Sequence, residues 1–173
     1  MIPHRTGIEE RPQGAETREE IGHWEADTAV SRQSKKALMV LQERKLGLTL
    51  IEKIPRCAPA EMNAAIIKRL SSFPDRFRKT ITFDNGQENR AYRKLQKKLG
   101  VNTYFCNPYS SWEKGSVENA VGLTRRVWPK KTDYALISCE EISMLEYRLN
   151  TRPRKRFGYL SPIEYALSVA FTP

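Results

Sequence analysis

Cysteine is scarce and scattered. Cys57, Cys106 and Cys139 stand far apart and make no C-x-x-C pair, which argues against a disulfide framework or a zinc site and fits a reducing compartment. Long apolar runs are missing as well. Nothing approaches the roughly 18–20 residues needed to cross a bilayer, and the opening MIPHRTGIEERPQG has no apolar core of the kind that heads a secretory signal. These gaps predict a cytoplasmic protein without a membrane partner. What is present is 173 residues, 39% hydrophobic and 29% charged. That is enough for one domain with a real core and too apolar for disorder.

Negative charge is in deficit, and the deficit is one-sided. Lys and Arg number 30 against 20 Asp and Glu, a net of +10. Residues 1–75 hold 12 basic and 11 acidic residues, whereas residues 76–173 hold 18 and 9. A one-sided basic excess is the footprint of a polyanion binder, because Lys and Arg displace counterions from phosphates.

Residues 1–20 are polar and punctuated by Pro and Gly, and read as an N-terminal arm or linker before a core over 21–173. IGHWEADTAV, ALMVLQERK and LTLIEKI are strand-length runs joined by short turns, which predicts a three-stranded antiparallel meander over roughly 22–54. Pro59 opens an amphipathic helix with Met62, Ile66, Ile67 and Leu70 on one face. KTITF is a fourth strand. Asn85 with Glu88 reads as the N-terminal cap of a helix that stops at Gly100. VNTYFC is a fifth strand, NPYSSWEKGS a loop and VENAVGLTRRVW a helix. Two S-x-x-E boxes, Ser138 with Glu141 and Ser161 with Glu164, cap the last two helices on either side of the basic connector RPRKRFGYL. The order βββ-α-β-α-β-α-α-α predicts an α/β protein: a five-stranded mixed sheet, built from the meander plus β-α units, with helices on both faces. Trp24, Trp128 and Tyr147 read as core.

Three carboxylates stand out. Asp84 ends a strand and is followed by Asn85-Gly86, which is ordinary turn chemistry. The segment beyond it is helical, however, and the C-terminal edge of a strand feeding a helix is where sites collect. Alternation in the first strand places Glu25 and Asp27 on one face, against Trp24, Ala26, Thr28 and Val30 on the other. Two acids on one strand face mean either a solvated face or a metal face. Glu118 opens a predicted helix, where a negative charge is favourable without any function, and Glu113 competes with it. Carboxylates without His or Cys suit Mg²⁺. Two such ions about 3.5–4 Å apart can activate an attacking oxygen and stabilise the leaving one in phosphodiester chemistry. Bridging cations also reconcile an acidic cluster with a phosphate-binding surface.

IGHWEADT, TFDNGQE and NPYSSWEKGSVEN, followed by LNTRPRKRFGYLSPIEY, resemble the integrase catalytic core of bacterial insertion-sequence transposases of the IS thirty group, within the DDE transposase and retroviral integrase superfamily. The resemblance spans about residues 5–168, with 33 residues between Asp84 and Glu118. It implies a ribonuclease H-like fold. It implies that Asp27, Asp84 and Glu118, rather than Glu113, form a catalytic triad holding two Mg²⁺ or Mn²⁺ ions. The implied activity is cleavage of DNA ends followed by 3′-OH strand transfer into target DNA. Two departures, Ala26 in place of a usual Gly and Val121-Gly122 in place of a usual Asn-Gly, remove no ligand. Family members carry an upstream helix-turn-helix region, which is expected to be absent here.

Lys114, Arg125, Arg126, Lys130 and Lys131 flank the acidic helix, and Arg152, Arg154, Lys155 and Arg156 form a second cluster. Both are expected to hold the phosphates of double-stranded DNA, at transposon ends and target. Tyr109 and Trp112 are candidates for stacking on a splayed base, and His23 is expected to be structural. A dimer or higher multimer is implied by the resemblance alone. The rival readings are a nuclease of the same fold that only hydrolyses, and a truncated, catalytically silent DNA-binding or dimerisation module.

Overall fold

The computed structural model describes residues 2–108 and 110–170, and of residues 111 and 112 only the backbone. Strands β1 (His23–Val30), β2 (Ala37–Glu43), β3 (Thr49–Ile54), β4 (Thr80–Phe83) and β5 (Asn102–Phe105) form one sheet in the order β3-β2-β1-β4-β5. β1, β2 and β3 pair antiparallel, while β4 runs parallel to both β1 and β5. The expected meander and mixed sheet are both present. The helices are α1 (Gln13–Glu16), α2 (Pro59–Leu70), α3 (Arg93–Leu99), α4 (Gly115–Val127), α5 (Cys139–Thr151) and α6 (Pro162–Ala170). Among the described residues, no helix is long and apolar enough to cross a membrane.

Period-two alternation splits the core into two layers. Trp24, Ala26, Met39 and Leu41 pack with Met62, Ile66 and Leu70 of α2 and Leu95 and Leu99 of α3. Ala29, Leu38, Val40 and Ile51 pack on the other face with Val117, Ala120 and Val121 of α4 and Ile142, Leu145 and Leu149 of α5. Every residue of β2 is buried because both faces are covered. Both predicted S-x-x-E boxes form, at Ser138 and at Ser161, and Gly100 ends α3 with a left-handed φ of 69°.

Two expectations need correction. Asn85 and Glu88 do not cap a helix. Asn85 donates to the Cys106 carbonyl at 2.8 Å, a 3-10 turn occupies Gln87–Asn89, and α3 begins only at Arg93. Tyr147 is 62% exposed, because α5 turns Ile142, Leu145 and Leu149 inward instead. Residues of the 1–20 segment pack on the core: Ile2 and Ala15 are buried. The Thr6 carbonyl accepts from Phe105 N at 3.0 Å and Gly7 bridges Phe105, so the arm covers the open edge of β5.

One buried ion pair ties the arm, the sheet and α4 together. Glu25 is fully buried and its Oε1 pairs with Arg44 Nη1. Arg44 Nε in turn donates to the Ala15 carbonyl of α1 at 2.7 Å. Glu25 Oε2 accepts the N–H of Val117 in the first turn of α4 at 2.9 Å. A strand carboxylate thus supplies the N-terminal partner that α4 lacks locally.

Removing one member of a buried pair leaves an uncompensated charge, so Glu25→Ala should lose about 3–5 kcal/mol in urea unfolding. A second prediction concerns Glu43, whose carboxylate accepts from Leu46 N, Gly22 N at 2.9 Å and His23 N at 3.3 Å. Burial pushes its pKa up to about 7 despite these bonds. Because the folded value lies above the unfolded one of 4.5, the unfolded chain releases its proton first. Stability should therefore fall as pH rises from about 4.5 to about 7, by up to about 3 kcal/mol. Glu43→Gln should flatten that slope in pH-resolved thermal melts.

Candidate active site

The parallel pairing of β1 and β4 sets the site. His23 lies opposite Thr80, Trp24 opposite Ile81 and Glu25 opposite Thr82. Two residues further along both chains come Asp27 and Asp84. Asp27 is still in β1, on the face of Glu25, whose carboxylate reaches α4, and Asp84 is the first residue past the end of β4. Each aspartate uses one oxygen locally. Asp27 Oδ1 accepts from Thr28 N at 2.7 Å, and Asp84 Oδ1 accepts from Gly86 N and Asn89 Nδ2, both at 2.9 Å. The other oxygens converge on a common cation. Lys114 Nζ lies 3.5 Å from Asp27 Oδ2 and 3.3 Å from Asp84 Oδ2.

Glu118 follows the anchored Val117 by one residue. It lines the same cavity of about 610 Å³ as Asp27, Asp84, Asn85, Lys114 and Ser110. The three acids singled out in the sequence are therefore brought to one cavity from β1, the end of β4 and α4. Glu113 is engaged elsewhere. Its carboxylate accepts from Asn107 N at 2.8 Å and Asn107 Nδ2 at 3.1 Å, pinning the loop that borders the cavity. Among the described residues, no three His, Cys, Asp or Glu side chains come close enough together to hold one metal ion.

Lys114, expected on a phosphate-binding surface, is instead 2% exposed. Burial pulls its pKa down, but the charges of Asp27 and Asp84 outweigh this and leave it raised, so the ammonium stays protonated. Glu88 lies within electrostatic reach of the two aspartates. Burial, helped by the charges of Asp84 and Asp27 and opposed by a bond to its own backbone, holds its carboxyl above the usual range. His23 is structural, as expected: its ring nitrogens meet Thr80 Oγ1 at 2.8 Å and Glu20 Oε2 at 3.2 Å. Cys106 lines the cavity as a thiol pushed up to about 12 by burial. The stacking roles expected for Tyr109 and the Trp112 side chain fall outside the described residues.

The other cations divide into two groups. Arg152, Arg154, Lys155 and Arg156 line a second cavity of about 480 Å³ against α4, together with Arg18, Ser116 and Asn119. Burial, then the neighbouring charges of Arg18 and Arg154, draw the Arg156 pKa down. Among the described residues, none of these five cations forms an ion pair with a carboxylate. Gly47 permits the close packing here: a Cβ at that position would lie 2.6 Å from Arg156 Nη2. Arg125, Arg126, Lys130 and Lys131 lie at and beyond the C-terminal end of α4, outside both cavities. Sequence reasoning missed Arg18, which sits in the arm and reaches the groove by a 3.1 Å bond to Ser116 Oγ. It also missed the pairing of Glu25 with Arg44, for which no local pattern exists.

No protein-family model matches the chain. Individual proteins do. The transposase for insertion sequence element IS4351 of Bacteroides fragilis is 36% identical over 164 residues, covering 95% of this chain and 50% of that protein. The transposase for IS1086 of Cupriavidus metallidurans is 36% identical over 173 residues, 100% of this chain and 51% of that protein. Transposase InsI for IS30A of Escherichia coli is 34% identical over 163 residues, 94% of this chain and 42% of that protein. The chain thus spans about half the length of the relatives it matches. Among solved structures, the simian T-cell lymphotropic virus intasome contains a chain that matches 89% of this one, which covers 57% of it, with a TM-score of 0.72 at 15% identity. The catalytic core domain of BIV integrase matches 86% of this chain, which covers 95% of it, with a TM-score of 0.64 at 22% identity. Those two likenesses bear on fold alone, and with the sheet order they establish a ribonuclease H-like integrase core architecture. Over nearly all of its own length, the chain is similar to part of these insertion-sequence transposases.

Proposed function

We propose that this chain is the catalytic core of a DNA transposase, with Asp27, Asp84 and Glu118 as its catalytic carboxylates. The reaction is polynucleotidyl transfer: cleavage at the ends of a DNA element, then attack of the freed 3′-OH on target DNA. One observation carries the reading: two aspartates, one in β1 and one just past the end of β4, already share a cation in a cavity that Glu118 also lines.

The donor set suits hard divalent ions. It offers carboxylate oxygens only, and two of them lie close enough to flank a single ammonium. Asp27, Asp84 and Glu118 would hold two Mg²⁺ or Mn²⁺ ions. When bound, such ions lower the pKa of an attacking water or hydroxyl and offset charge on the leaving oxygen. The chain's own part is to orient and to bind. Asn89 and the backbone at Gly86 fix Asp84, while Glu25 fixes the turn that bears Glu118. The groove of Arg18, Arg152, Arg154, Lys155 and Arg156 binds DNA phosphates beside the cavity, with the α4 terminus as their common wall. Arg125, Arg126, Lys130 and Lys131 extend the basic path. Two ends have to be brought together, so the protein acts as a dimer or higher multimer, in the cytoplasm.

Two measurements test this. Asp84→Asn should lose Mn²⁺ binding in calorimetry and reduce strand transfer of a pre-cleaved 3′-OH duplex to background. Wild type that nicks DNA but never joins a pre-cleaved end would establish the hydrolysing nuclease instead. Replacing the exposed Arg152 and Lys155 with Ala should lower the slope of log binding constant against log salt by about 2, and an unchanged slope rejects the groove as the phosphate site.

A further inference from the structure

The ammonium of Lys114 is in an unusual position for a lysine in a DNA-acting protein. It is 2% exposed. Its Nζ lies 3.3 Å from Asp84 Oδ2, 3.5 Å from Asp27 Oδ2 and 3.4 Å from the carbonyl oxygen of Ala26. Two carboxylates and one carbonyl are the oxygen set a hard divalent ion takes. Lys114 is also the residue before α4, so its backbone is placed by the same contact that seats Val117 on Glu25. Above that anchored backbone rises a flexible four-carbon stem.

We infer that Lys114 is the built-in counterion of this site, a positioning residue that holds Asp27 and Asp84 together in the metal-free chain and must leave before divalent ions enter. This rests on the metal-binding reading above. A divalent ion binds such oxygens at roughly 2.0–2.6 Å, and a unit positive charge beside the same oxygens repels it. Metal binding is therefore an exchange of cations. The lysine keeps the paired carboxylates from repelling one another while the site waits, and it weakens intrinsic metal affinity in return.

The test uses the full 173-residue chain and Mn²⁺. Lys114→Gln, which removes the charge but keeps a hydrogen-bond donor, should bind Mn²⁺ about tenfold or more tightly than wild type. It should melt below wild type in chelator, and the deficit should shrink in saturating Mn²⁺. Lys114→Arg should keep the wild-type affinity. A structural lysine would give the opposite sign, since disordering a site weakens its ligand. In the wild-type protein, acylation of lysines mapped by mass spectrometry should find Lys114 protected in chelator and reactive in Mn²⁺, a readout that survives if the variants fail to fold. Equal or weaker Mn²⁺ binding by folded Lys114→Gln, or protection of Lys114 that persists at saturating Mn²⁺, overturns the inference alone. Absence of Mn²⁺ binding by wild type overturns the metal-site reading, and the inference with it.

Discussion

A single buried carboxylate, that of Glu25, holds the rest of the architecture in place. One of its oxygens meets the Arg44 guanidinium, which reaches on to the arm at Ala15, and the other takes the Val117 N–H at the start of α4. Burying such a charge is costly unless it is paired and its remaining lone pairs are satisfied, and here both conditions hold. The result is a rigid joint among β1, β2, the arm and α4. Asp27 is two residues along β1 from that joint, and Glu118 is one residue along α4 from it. The spacing of these two acids is thus set from a joint outside the cavity they line.

The electrostatics follow a similar separation of roles. A chain with ten excess positive charges keeps an acidic cavity by giving it an internal cation, Lys114, rather than leaving bare carboxylates beside a basic groove. The groove is treated in the opposite way. Arg156 lies beside Arg18 and Arg154, and its pKa is drawn down first by desolvation and then by those like charges, with no carboxylate paired to offset them among the described residues. The first turn of α4 separates the two regions, with Lys114 and Glu118 lining one cavity and Gly115, Ser116 and Asn119 the other.

Local patterns in the sequence were enough for most of the fold. Period-two alternation in β1 sorted Trp24 and Ala26 from Glu25 and Asp27. Pro59, Gly100 and the two Ser boxes marked helix ends that the structure bears. Spacing alone misled at Asn85 and Glu88. There a capping pattern was present, but Asp84 claimed the Gly86 N–H and Asn85 turned to Cys106. The acids of the candidate site were visible as residues at strand and helix ends, yet their grouping rested on family resemblance. The cations of the site were misjudged for a physical reason. Lys114 looks like any loop lysine until two distant segments, at Ala26–Asp27 and at Asp84, close on it, and Arg18 belongs to an arm whose docking depends on contacts about 30 to 100 residues away in sequence.

Residues 23 to 27 of β1 alternate between two unrelated duties. His23, Glu25 and Asp27 build the polar joint and the cavity, while Trp24 and Ala26 fill the apolar layer under α2. A strand has no slack for such interleaving, since slipping by one residue exchanges its two faces. Inserting or deleting a single residue between Trp24 and Asp27 would drive carboxylates into the hydrophobic layer and put Ala26 where a cation belongs. The spacing between those two positions is therefore fixed by the pleat itself, independently of which residues occupy it.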